Sequence, residues 1–140
     1  MYPGKNLGAF GDAGIITTNN KNFFQLIRKL RNLGSEKKFI HDYVGFNSRL
    51  DTIQAAILNI KLKNLNKLNN KRKIIAKNYD SGINNKNITK IYYSKNAVYH
   101  QYVILVQNRK KFIKFLDKHK IGYNFHYPFS INQLKVFKNK

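Results

Sequence analysis

The chain of 140 residues carries 27 Lys and Arg against 6 Asp and Glu, a formal charge of +21, and has no cysteine, so disulfide frameworks, thiolate metal sites and cysteine nucleophiles are excluded. The length suits one domain, which at this size is expected to bury roughly 70% of its unfolded surface; 42% hydrophobic and 14% aromatic content rules out global disorder. No apolar run nears the roughly 20 residues of a membrane span and Met1 to Lys5 do not lead into an apolar signal region, so the expected location is cytoplasmic.

Residues 1 to 14 are punctuated by Gly4, Gly8, Gly11 and Gly14 around Lys5, Asn6 and Asp12, which predicts tight loops with close backbone approaches. Ile15-Ile16-Thr17-Thr18 is β-branched throughout and predicts a short buried strand stopped by Asn19-Asn20. Phe23, Phe24, Ile27, Leu30 and Leu33 recur at helical spacing, with Asn20 or Asn22 as N-cap and Gly34 as stop. Residues 35 to 47 show no period and predict a loop. Ser48-Arg49-Leu50-Asp51 has the form of a capping box with Asp in place of Glu. The stripe Leu50, Ile53, Ile57, Ile60, rotating to Leu58, Leu62, Leu65, Leu68, Ile75 and Tyr79, then predicts one helix to about residue 80. At 1.5 Å per residue it would run about 45 Å.

An Asn-rich stretch leads to Tyr99-His100-Gln101-Tyr102-Val103-Ile104-Leu105-Val106, the clearest strand pattern in the chain. Asn108 is placed to cap a helix carrying Phe112, Ile113, Phe115 and Leu116, closed by Gly122, and Tyr123 to Tyr127 predict a further strand before Pro128. Strands alternating with helices indicate an α/β or α+β architecture.

Among residues able to do chemistry, Lys5 stands in a Gly-Lys-Asn-Leu-Gly loop whose backbone can close around a ligand. A lysine attacks a carbonyl only when unprotonated, which a desolvated or cation-flanked pocket favours; composition alone favours reading Lys5 as one more solvated lysine among 22. Neither phosphate-loop fingerprint is present, His41, His100, His119 and His126 lack metal-ligand spacing, and the six acids are scattered. The net charge divides as +7 for residues 1 to 70 and +14 for 71 to 140. Only 5 of the cations are Arg, and Lys travels with Asn and Ile, as compositional drift produces; a basic binding module for nucleic acid or another polyanion is the alternative function it allows.

The run from Tyr2-Pro3-Gly4-Lys5-Asn6-Leu7-Gly8 to Gly14 resembles the lysine loop of the sugar-nucleotide aminotransferases of the DegT/StrS type, pyridoxal 5'-phosphate (PLP) enzymes of fold type I. Gly45-Phe46-Asn47-Ser48-Arg49-Leu50-Asp51-Thr52-Ile53-Gln54-Ala55-Ala56 is similar to the same family's G-[YF]-N-x-R-x-x-x-x-Q-A-A segment, and the Tyr99 to Ile104 block with Gly122 to Pro128 resembles its C-terminal domain. The resemblance implies an α/β fold: a partial fold type I transferase truncated at both ends. Residues 1–47 would end the PLP-binding large domain, 48–82 form the connecting helix, and 83–140 an incomplete small domain.

It also implies roles. Lys5 would hold PLP as a Schiff base and carry the proton. Asn47 would reach the cofactor phosphate of the partner subunit in a homodimer, Arg49 would lie near that phosphate or the sugar nucleotide, and His126 would approach substrate. The implied reaction moves an amino group from glutamate to a keto-sugar nucleotide, as in surface-polysaccharide pathways. Because the family's cofactor acid, stacking aromatic and phosphate cup precede the lysine loop, the 140-residue chain alone is expected to be inactive, with an N-terminal fragment as a possible partner.

Overall fold

A computed structural model describes residues 1–137. Three helices, two small hairpin sheets and two 3-10 turns follow one another: α1 (Lys21–Leu30), β1 (Ser35–Lys37), β2 (Ile40–His41), α2 (Thr52–Gly82), β3 (Ile88–Lys90), β4 (Ile104–Val106), α3 (Arg109–Lys118), then turns at Ile131–Gln133 and Lys135–Phe137. The chain divides into two compact units, one of residues 1–82 with 93–102 and one of 83–92 with 103–137.

In the first unit, Asn20 caps α1 through its side-chain oxygen, which accepts from the Phe23 N–H at 3.0 Å. The helix ends at Leu30, short of the predicted Leu33. Arg31 to Gly34 form a left-handed exit, with φ 61° at Leu33 and 75° at Gly34. Gly34 is required there, since a Cβ would stand 1.8 Å from the Tyr43 carbonyl oxygen. The predicted loop over 35–47 contains the antiparallel hairpin β1–β2, and Asn32 bridges Asn47 across its base.

Helix α2 is 31 residues long, about 46 Å at 1.5 Å per residue. Its packed face overlaps the predicted apolar stripe only in part. Ile57, Leu58 and Leu65 of that stripe are buried or half-buried, together with Gln54, Ala55, Lys61, Asn69, Arg72 and Ala76, while Ile53 and Ile60 remain 69% and 65% exposed. Polar side chains with distant partners occupy part of that face, so hydropathy alone finds only a portion of it. Lys63, Lys67, Lys71, Lys73 and Lys77 are exposed on the solvent side of the helix. Buried apolar residues among those described are Ala9, Leu58 and Ala76, far short of the core expected from length.

Ile15 to Thr18 do not form a strand: Ile15 and Ile16 are 74% and 68% exposed. A β-branched run becomes a strand only where a second strand takes its backbone hydrogen bonds, and none does so among the described residues.

In the second unit, β3 pairs antiparallel with β4, Ile88 opposite Val106 and Lys90 opposite Ile104. The predicted strand at 99–106 is thus confined to Ile104–Val106, and its partner lies in the Asn-rich stretch. Asn108 caps α3 by accepting from the Lys111 N–H at 3.0 Å. The helix stops at Lys118, and Lys120 (φ 56°) makes the turn predicted for Gly122. Tyr123 to Tyr127 are not a strand. Tyr123 instead hydrogen-bonds Asp117 and Arg109 lies 5.5 Å over the Phe125 ring, so the segment follows α3 and the predicted β, α, β unit is absent.

The lysine loop as candidate active site

The lysine loop is a turn held on both sides. The Lys5 N–H donates to the Tyr2 carbonyl and the Ala9 N–H to that of Met1, each at 2.9 Å. Gly8 makes this closure possible, because a Cβ there would lie 2.2 Å from the Pro3 carbonyl oxygen and 3.1 Å from that of Lys5. Ala9 is fully buried behind it. Local geometry therefore pushes Lys5 to the outside of the turn, where its side chain is exposed.

Distant residues fix the loop in place. The Phe10 N–H donates to Gln54 Oε1 at 2.8 Å, so the glutamine of the second sequence motif caps the end of the first. Asn6 Nδ2 donates to Asn69 Oδ1 on α2 at 2.8 Å and to the Val98 carbonyl at 3.0 Å. One amide thereby joins the loop, the long helix and the segment 93–102. Asn6 Oδ1 is buried without a hydrogen-bond partner among the described residues.

Segment 93–102 has its own aromatic packing. Tyr93 lies 5.0 Å from Tyr99 and 6.4 Å from Tyr102, and Tyr79 of α2 lies 5.0 Å from Tyr102. The Tyr102 hydroxyl donates to Asp80 Oδ1 at 2.6 Å. Burial first, then this bond and the neighbouring carboxylate, push the Tyr102 phenol up to about 12. Arg72 Nη1 donates to the Tyr99 and His100 carbonyls at 3.5 and 3.4 Å. At the end of this brace His100 Nε2 stands 3.5 Å from Lys5 Nζ.

The expected site residues fall into three places. Lys5 meets His100. Asn47 and Arg49 meet each other, the Arg49 Nε donating to Asn47 Oδ1 at 3.0 Å, and both are exposed just before α2. His126 belongs to the second unit, exposed, with its ring 5.3 Å from that of Tyr127. Sequence reading missed His100, Asn6 and Arg72 as neighbours of the lysine loop. The Tyr-His-Gln-Tyr block was visible as a motif, but its pairing with a loop 95 residues away leaves no periodic trace. No helix among the described residues is long and apolar enough to cross a membrane, and none of them form a group of three or more His, Asp or Glu suited to a metal ion.

Comparison with known proteins extends these contacts. The profile of the DegT/DnrJ/EryC1/StrS aminotransferase family matches residues 1–140. The chain is 41% identical over 156 residues to the dTDP-3-amino-3,6-dideoxy-alpha-D-galactopyranose transaminase of Aneurinibacillus thermoaerophilus, covering 98% of this chain and 43% of that one. It is 36% identical over 135 residues to the dTDP-3-amino-3,4,6-trideoxy-alpha-D-glucose transaminase of Streptomyces venezuelae, covering 94% and 36%. The crystal structure of S. venezuelae DesV in complex with a ketimine intermediate matches at a TM-score of 0.95 and 34% identity, over 99% of this chain and 38% of that one. A DegT DnrJ EryC1 StrS aminotransferase from Brucella abortus matches at 0.89 and 28%, over 98% and 37%.

The chain thus spans about two fifths of the length of these relatives, and its architecture is part of the fold type I transferase. With two ordered motifs, their mutual contact through Phe10 and Gln54, and a match along its whole length, the chain belongs to the DegT/DnrJ/EryC1/StrS aminotransferase family.

Proposed function

We propose that this chain carries the lysine loop of a PLP-dependent aminotransferase that moves an amino group, from glutamate, to a keto-sugar nucleotide. The observation that carries the reading is the exposed Lys5 amine on a turn braced by Gln54 and Asn6 and flanked by His100. Relatives named as transaminases of dTDP-sugars, and one named UDP-2-acetamido-2-deoxy-3-oxo-D-glucuronate aminotransferase from Pseudomonas aeruginosa, support the substrate class.

The donor set fits the aldehyde end of PLP. A primary amine stands on a hydrogen-bonded turn, an imidazole lies beside it, and the following residue, Asn6, has a buried Oδ1 without a hydrogen-bond partner among the described residues. When bound, PLP supplies a carbonyl for the lysine and an electron sink for the amino-bearing carbon. Lys5 Nζ must shed a proton before attacking that carbonyl, and afterwards the same amine is placed to move a proton as acid and base. The turn ties down the Lys5 backbone, so the amine would be brought to a bound cofactor by rotation of the side chain.

In this reading residues 1–47 close the cofactor domain, 48–82 connect, and 83–140 belong to the small domain. Asn47 and Arg49, already bonded to each other, serve the cofactor phosphate of a partner subunit and the substrate phosphates, the guanidinium being a planar fork for paired oxygens. His126 serves the substrate. The lysines of α2 do not favour polyanion binding over this reading, because they occupy the ordinary solvent side of a packed helix.

Reductive trapping tests the proposal. The purified chain is incubated with PLP, treated with borohydride and mapped by mass spectrometry. Expected is modification concentrated at Lys5 and lost in Lys5→Ala. Modification spread evenly over exposed lysines such as Lys63 and Lys67 would defeat the reading.

A further inference from the structure

We propose that His100 is the positioning residue for Lys5: its imidazole Nε2 accepts a hydrogen bond from the lysine Nζ and holds the amine over the turn. The inference rests on Lys5 being the cofactor-anchoring amine. It adds a residue that neither of the two principal motifs contains.

Three independent features bring the ring to this place. First, Arg72 on α2 donates to the carbonyls of Tyr99 and His100, at 3.5 and 3.4 Å, which fixes the backbone that carries the imidazole. Second, Tyr99 has φ 48°, a left-handed conformation that a non-glycine residue adopts only where its surroundings impose it. Tyr93, whose ring packs tilted against that of Tyr99 and whose hydroxyl donates to the Gln101 carbonyl at 3.4 Å, contacts the residues on both sides of His100. Third, Asn6 ties the Val98 carbonyl, two residues before the histidine, to the lysine loop itself.

The 3.5 Å separation is the long end of a hydrogen bond, as is common at sites whose contacts tighten once the reacting partner is present. Acceptance from Lys5 uses the neutral ring, in which Nε2 keeps a lone pair for the amine. His100 also lines a cavity of about 160 Å³ with Arg72, Ile75, Ala76, Tyr99, Gln101 and Tyr102. A lysine carries four rotatable side-chain bonds, and holding its far end confines them before any ligand arrives.

The test reads lysine ammonium signals in nitrogen-15 NMR spectra of the whole 140-residue chain at low temperature. Expected is a Lys5 Nζ–H signal exchanging with water about fivefold more slowly than those of Lys63 and Lys67, the factor expected of one net hydrogen bond. His100→Leu should bring Lys5 to the surface value. His100→Gln, which keeps an acceptor near the Nε2 position, should restore much of the protection, a rescue that simple loss of packing would not show. Should His100→Leu fail to fold, the His100 Nε2 resonance in wild type and in the exposed-site variant Lys5→Met gives the same answer, because acceptance from Lys5 shifts it. Equal exchange at Lys5 and the α2 lysines in wild type, or an Nε2 resonance indifferent to Lys5→Met, would overturn the proposal. A protected Lys5 that PLP does not modify would instead overturn the cofactor reading and leave the pairing intact.

Discussion

The lysine loop and the segment after α3 look alike in sequence, both rich in aromatics and turn formers, yet they are held differently. Residues 5 to 10 find partners 44 to 95 residues away: Gln54, Asn69, Val98 and His100. Residues 123 to 133 show bonds close in sequence, Tyr123 to Asp117, Ser130 to Asn132 and Gln133 to the backbone of Ser130, beside the contact of Arg109 with the Phe125 ring. A loop without regular structure becomes well placed when its polar groups are answered by other elements. A loop answered largely by neighbours keeps more of the conformations its own turns allow.

Substitutions that remove those distant answers break the comparison most sharply. Gly8→Ala should be the most costly, by about 3 kcal/mol, since the added methyl meets backbone at 2.2 Å and no side chain can yield. Gly122→Ala, with nothing within 4 Å, should leave the urea midpoint almost unchanged. Gln54→Leu should cost about 1 kcal/mol, because it removes the acceptor of the Phe10 N–H, whose hydrogen exchange should accelerate while α2 helicity is kept.

Asn20→Ala and Asn108→Ala remove equivalent caps from α1 and α3 and should each cost about 1 kcal/mol. The two losses should be alike, since capping is a local effect, whereas the Gln54 effect belongs to the first unit alone. A subtler change follows from Tyr102. Its phenol is raised to about 12, so the folded state favours the neutral form. That contribution is complete below the ordinary tyrosine value near 10 and fades as pH climbs from there to about 12. Tyr102→Phe should flatten stability across that window, and an ultraviolet titration should show one late-ionising phenol disappear.

The smallest effect concerns Glu36. Hydrogen bonding and attraction from Lys29, 2.9 Å away, hold its carboxyl below the usual range, while Lys29 is raised chiefly by the same bond. Glu36 is exposed and Lys29 half-buried at the surface, where such pairs add little, so Glu36→Gln should leave the unfolding midpoint within experimental error.

All three helices were legible in the sequence because an apolar period is a property of neighbouring residues, but the capping box read at Ser48 to Asp51 is not formed: α2 begins at Thr52, its first bond running from the Ala55 N–H to the Asp51 carbonyl. Asn20 and Asn108 make the capping bonds expected of them. Strands were legible only in part. Ile15 to Thr18 has the composition of a strand, but a strand is a relation between two segments, and residue preferences state only one half of it. In the opposite direction, Ile88–Lys90 looked like part of a polar linker and pairs with β4. The site divides similarly: Lys5, Asn47 and Arg49 stood out through family motifs, whereas His100 reaches Lys5 only through a fold that folds 95 residues of chain back on themselves.

Helix α2 has one further consequence. Gln54, at one end, and Asn69, fifteen residues on, bind different atoms of the same loop, which are points about 22 Å apart along a stiff rod. Apolar side chains tolerate sliding by a turn because one hydrocarbon surface is much like the next. Two specific polar bonds do not, so they fix the axial register of the rod as notches fix a ruler. Replacing both with leucine would leave a more hydrophobic helix with no mark to say where along its length the lysine belongs.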